Sequence, residues 1–167
     1  MDRIFYMDFI KEALTLGFNN AAVIDVKDLV FVLEYRQFCE ENLCGNFNVI
    51  SSCPPACGTP EEMHRKALNY KKALILQTVL ESPEEQFDVK KAKYNHNILT
   101  EKLYKKMEAD AETTPLLISA GPYKRFSCMS AYGIDAQKMA DAANMLCWTQ
   151  DEKIRLFSLL LFNPENS

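Results

Sequence analysis

Four cysteines, Cys39, Cys44, Cys53 and Cys57, fall within 19 residues of a 167-residue chain that holds six. They are spaced C-x4-C-x8-C-P-P-A-C. Thiols grouped this closely point to disulfides or to metal ligation. As thiolates they repel one another unless a cation neutralises them, and zinc and iron–sulfur clusters both accept four cysteines. Structural zinc sites pair their ligands at short spacing, which both halves of the cluster satisfy. Iron–sulfur ligation tolerates irregular spacing and a Pro directly after a Cys, as at Cys53-Pro54. The spacing leaves the choice of metal open. A closed set of four thiolates lacks the vacant position of catalytic zinc.

The compartment decides between metal and disulfide. In the N-terminal segment MDRIFYMDFIKEALTLGF, charged residues break every apolar run, so it does not read as a secretory signal. No stretch has the roughly 18 apolar residues that a bilayer-spanning helix needs. The expectation is a cytoplasmic protein with reduced thiols, for which metal leads disulfide. The net charge of −4 argues against a nucleic-acid partner. A cysteine nucleophile ranks lowest, because reactive thiols sit near cations. Here the neighbours are chiefly Glu40, Glu41, Glu61 and Glu62, with Arg36 and His64 as the only counterweights. Four unrelated buried thiols are the plainest alternative, and their place in a loop counts against it.

The elements that must position these cysteines follow from periodicity. Apolar spacing predicts a helix from Asp2 that stops at Gly17, then a strand at Ala21 to Asp25. A short helix from Glu34 to Asn42 would carry Cys39 in its last turn. The irregular stretch from Leu43 to Thr59 is long for a structureless loop, so something other than a backbone ladder should hold it. Pro54 and Pro55 stiffen it, and the amides of Ala56, Cys57 and Gly58 are placed to face sulfur. Thr59 caps a helix beginning at Pro60 and running to about Asn69. Lys72 to Leu80 is a strand, and a long helix begins at Asp88 and ends near Asp110. Leu116 to Ala120 is a third strand, Asp135 caps another helix, and Ile154 to Phe162 is the closing strand. Strands alternating with helices predict an α/β or α+β sandwich, a small mixed sheet with packed helices. With 48% apolar and 25% charged residues, no repeat and no linker, residues 1–167 read as one domain whose cysteine-rich segment spans 39–58.

Other residues invite simpler readings. His96 lies on the apolar stripe of the long helix with Ala92, Leu99, Leu103 and Met107. A hydrogen-bonded core histidine is the base expectation, and an additional metal ligand requires the helix to face the loop. Cys128 and Cys147 read as packing residues. The lysines of the long helix, from Lys90 to Lys106, read as a solvated face.

The cysteine segment also resembles a known family. Arg36-Gln37-Phe38-Cys39, continuing through Asn42, Cys44 and Gly45, and Ser52-Cys53-Pro54-Pro55-Ala56-Cys57-Gly58-Thr59 resemble a prokaryotic family of predicted metal-binding proteins of unknown function. Its pattern is R-x-x-C-x-x-N-x-C-G, followed by C-P-P-x-x-G. Weaker likeness continues at Gln86-Phe87-Asp88, at Ser119-Ala120-Gly121-Pro122, and at Met129 with Ala131-Tyr132-Gly133-Ile134-Asp135, so that it spans nearly the whole chain. The resemblance implies a metal centre, with an iron–sulfur cluster favoured and zinc the alternative, and supports Cys39, Cys44 and Cys53 as ligands. Cys57 stands where the pattern is variable, so its role rests on spacing. A second cysteine-rich stretch of the family is missing here. Tyr123 replaces its first cysteine, and Cys128 replaces a serine. If that stretch supplies the fourth ligand in relatives, Cys57 substitutes for it.

The leading expectation is therefore a metal protein with an electron-transfer or accessory redox role beside a larger enzyme or redox protein. A structural zinc or degenerate interaction module is the alternative, and a cysteine-thiolate enzyme the last. Independent catalysis is not expected, no membrane is implied, and self-association stays open.

Overall fold

In the computed structural model the residues described are 2–37, 53, 56–81, 86–110, 114–121, 123–147, 149, 151 and 153–164. Helix α1 spans Asp2–Leu16, ends before Gly17 at φ +121°, and leads into β1, Asn20–Asp25. Two single 3-10 turns follow, Val26–Asp28 and Leu33–Tyr35. The helix expected from Glu34 to Asn42 is described only through residue 37, so Cys39 and Cys44 lie outside the described residues, as does most of the irregular stretch.

Helix α2, Pro60–Ala67, begins as expected with Pro at its first turn. The Thr59 hydroxyl accepts from the Glu62 amide at 3.1 Å, while the Thr59 amide donates to Glu62 at 3.2 Å. This reciprocal box satisfies two amides that the first turn would otherwise leave without partners. Strand β2 is Lys72–Leu80, and helix α3 is Gln86–Asp110, starting two residues before its expected position. Strand β3, Leu116–Ile118, is shorter than expected. A four-residue helix, α4, Met129–Tyr132, was not foreseen. Helix α5, Ala136–Ala142, is capped by the Asp135 carboxylate on the Lys138 amide at 3.0 Å. Strand β4, Ile154–Phe162, closes the chain. Among the described residues no helix is long and apolar enough to cross a membrane.

The strands form one sheet in the order β1-β2-β4-β3. All three pairings are antiparallel, which corrects the expected mixed sheet. Strands β2 and β4 are apolar along nearly their whole length because helices cover both faces. Side chains alternate across the sheet. One face carries Ala73, Ile75, Leu116, Ile118, Phe157, Leu159 and Leu161, which pack with Met63 and Ala67 of α2, Ala131 and Tyr132 of α4, and Met139 and Ala140 of α5. The other carries Leu74, Leu76, Leu117, Leu160 and Phe162, packed with Phe9 and Ala13 of α1 and Leu103, Tyr104 and Met107 of α3. The lysines of α3 at 90, 91, 93, 102, 105 and 106 are exposed, as expected of a solvated face.

Candidate metal centre

Cys53 and Cys57 are the two cysteines of the 39–58 segment that the structure describes. Cys53 is buried and Cys57 half-buried. The Cys57 amide donates to the Cys53 carbonyl at 3.2 Å, which places both on one turn. That amide was expected to face sulfur, and the turn uses it instead. Gly58 at φ +118° then swings the chain into the Thr59 cap.

The surroundings of Cys57 are rich in sulfur. Its Sγ lies 3.6 Å from the Met63 Sδ, on the first turns of α2. Burial pushes the Cys57 thiol above its ordinary pKa, and the thiol of Cys128 adds to the rise; the Arg36 guanidinium and Ser127 oppose it. Cys128, half-buried at the start of α4, thus belongs to the neighbourhood of Cys57, although 71 positions separate them. Tyr132 of α4 is buried in the same core and feels Cys57. Burial drives its phenol well above the usual range, with Cys57 and Tyr70 contributing in the same direction.

Arg36 joins these pieces. Its side chain is 5% exposed. Nε and Nη2 donate to the Ala131 carbonyl of α4 at 3.1 and 2.9 Å, Nη1 donates to the Gly58 carbonyl at 2.7 Å, and Nη2 also contacts the Met63 Sδ at 2.9 Å. The segment before it is held by the Val32 amide on the Gly133 carbonyl at 2.6 Å and by the Asp135 amide on the Val30 carbonyl at 2.8 Å. Gly133, at φ +76°, ends α4 where a Cβ would stand 2.6 Å from the Val32 carbonyl oxygen. Only glycine permits both the left-handed turn and this approach.

His96 sits elsewhere. It is 2% exposed on the α1 and α3 side of the sheet, with Nδ1 2.8 Å from the Thr78 hydroxyl and Nε2 2.8 Å from the Ser158 hydroxyl. Phe18 meets the ring edge-on. Burial lowers its pKa to about 4. The structure does not bring it to Cys57: the sheet lies between them and both ring nitrogens are engaged. His64, on α2, is half-buried and stacks on Phe31 with ring centroids 4.2 Å apart. Cys147 is half-buried against the core, in line with a packing role.

Among the described residues no group of three or more His, Cys, Asp or Glu stands ready to hold a metal ion. Two of the four expected ligands are described, and they are soft sulfur donors, with Cys57 beside the Met63 thioether. That donor chemistry suits zinc or iron–sulfur rather than a hard cation, which wants oxygen. Sequence reasoning missed the part played by the Cys128 segment and by Ala131. Their link to Arg36 and Cys57 is made only by the tertiary fold, and no local spacing signals it.

These features define a thiol-bearing α-β protein with a sulfur-lined site on one sheet face. The family described as predicted metal-binding protein (DUF2284) matches residues 22–124, and the chain belongs to it. The matched span takes in all four clustered cysteines and is shorter than the likeness read from the sequence, ending before Cys128 and α4. No curated protein and no solved structure matches the chain.

Proposed function

We propose that this chain holds one metal centre through the thiolates of Cys39, Cys44, Cys53 and Cys57, and that the centre is an iron–sulfur cluster. The observation that carries the reading is the turn that sets Cys53 and Cys57 together beside Met63 and Arg36, within a family of predicted metal-binding proteins. His96 is left out of the ligand set because both its nitrogens are hydrogen-bonded across the sheet. An iron–sulfur cluster supplies one-electron chemistry when bound. The chain's own part is to present sulfur, exclude water with Tyr132 and Met63, and hold the turn through Arg36. We assign it an electron-transfer or accessory redox role, serving a larger enzyme or redox protein in the cytoplasm. Cys57 is poorly suited to nucleophilic attack, since burial favours its protonated form.

The test is metal analysis after anaerobic purification. Iron with acid-labile sulfide, a thiolate-to-iron absorption band and a reversible reduction potential are the expected results. A colourless protein with one zinc per chain assigns the site a structural role and removes the redox reading. A folded, metal-free protein with every thiol titratable contradicts both.

A further inference from the structure

Arg36 has no role in the ligand set, yet its position is unusual. It is a permanent cation, almost fully buried, and no carboxylate among the described residues pairs with it. Its four contacts are two to one carbonyl, one to another carbonyl, and one to a thioether. Carbonyl dipoles satisfy donors but do not neutralise a charge. A buried cation held this way is costly unless a negative group completes the site.

The three segments it joins are those that carry cysteines. Arg36 itself lies three residues before Cys39. Gly58 follows Cys57 directly, and Ala131 lies three residues after Cys128. Met63 Sδ lies between the guanidinium and the Cys57 thiol, 2.9 Å from one and 3.6 Å from the other. A divalent ion or a cluster held by four thiolates keeps an excess of negative charge. That excess is what the described surroundings of Arg36 lack.

We propose that Arg36 is the counter-charge of the thiolate centre, a positioning residue that stabilises the centre's net negative charge while tying the segment that ends in Cys57 and Gly58 to α4. This rests on the reading of the site as a thiolate metal centre. Arg36 does not itself touch the metal. Its donors are aimed at carbonyls, so its charge acts through space and its hydrogen bonds act on the loop. The two contributions are separable, because lysine keeps the charge and loses the planar fork, whereas glutamine keeps a planar donor and loses the charge.

The experiment is a Co2+ titration at fixed pH of the full chain, read by the thiolate-to-cobalt band, in wild type, Arg36→Gln and Arg36→Lys, with a thermal melt of each metal-free protein. Wild type should bind cobalt through sulfur. Arg36→Gln should lose about 10- to 100-fold in affinity, the usual scale for residues that support metal ligands. Arg36→Lys should keep most of it, even where its melt shows the same loss of stability as the glutamine variant. Unchanged affinity in Arg36→Gln, or an equal loss in both variants, overturns the counter-charge and leaves the metal centre standing. Absence of the thiolate band in wild type overturns the metal reading and the counter-charge with it. Should Arg36→Gln fail to fold, folded Arg36→Lys decides alone: retained affinity supports the proposal and a 10-fold loss overturns it.

Discussion

Each face of the sheet buries an apolar cluster, and the two treat their polar groups in opposite ways. Under α1 and α3, His96 is neutral, with one hydroxyl on each ring nitrogen, and Thr100 and Ser158 complete the network at 2.8 Å. Each of these groups has a partner within the network. Under α2, α4 and α5, Arg36 carries a full charge against carbonyls and sulfur, near Cys57 of the cysteine-rich segment. The first arrangement is complete as it stands, which is how a structural polar network looks. The second has no anionic partner among the described residues. A buried polar residue is informative through what it lacks, so the same degree of burial marks scaffold on one face and site on the other.

Acid should separate the faces most strongly. His96 has a folded pKa near 4, below its ordinary 6.5, so the unfolded chain takes up the proton first as pH falls. Above pH 6.5 the group adds no pH dependence. Between 6.5 and 4 stability should drop, by roughly 3 kcal/mol in all, and below 4 the loss should level off. Chemical denaturation at several pH values, with His96→Gln as reference, reads this directly; equal slopes in both proteins would remove the assignment. Next in size is Gly133→Ala. The left-handed backbone and the 2.6 Å approach to Val32 oxygen should cost on the order of 1–3 kcal/mol. Because Gly133 anchors the segment that carries Arg36, metal affinity should fall as well, whereas a comparable loss of stability on the α3 face should leave affinity unchanged. The smallest effect belongs to Thr59→Ala. It removes one cap from α2, costs about 1 kcal/mol and should be visible in the melt before it is visible in metal binding.

Much of the scaffold was legible from local pattern. Strands β2 and β4 keep the limits read from sequence because a long apolar run with helices on both sides leaves little ambiguity. The Thr59-Pro60 start of α2 was legible because the cap is made by residues three apart. The sheet's antiparallel order was not, since pairing partners such as Leu76 and Ser158 lie far apart in sequence. Helix α4 has only four residues and no periodicity to detect. At the site, clustering of Cys53 and Cys57 was visible as spacing, and Arg36 was visible as a nearby cation. Its burial and its bonds to Gly58 and Ala131 were not, because they arise where segments 22 and 95 positions away meet. His96 shows the converse: a ligand-capable residue at a plausible helix position, set on the far side of the sheet by the fold.

The most direct measurement is the metal content per chain of Cys53→Ala compared with His96→Gln, each purified anaerobically and confirmed folded. The proposed ligand set predicts that Cys53→Ala loses the metal while His96→Gln keeps the wild-type amount. Retention of the full metal content by Cys53→Ala, or its loss from His96→Gln, would contradict the account.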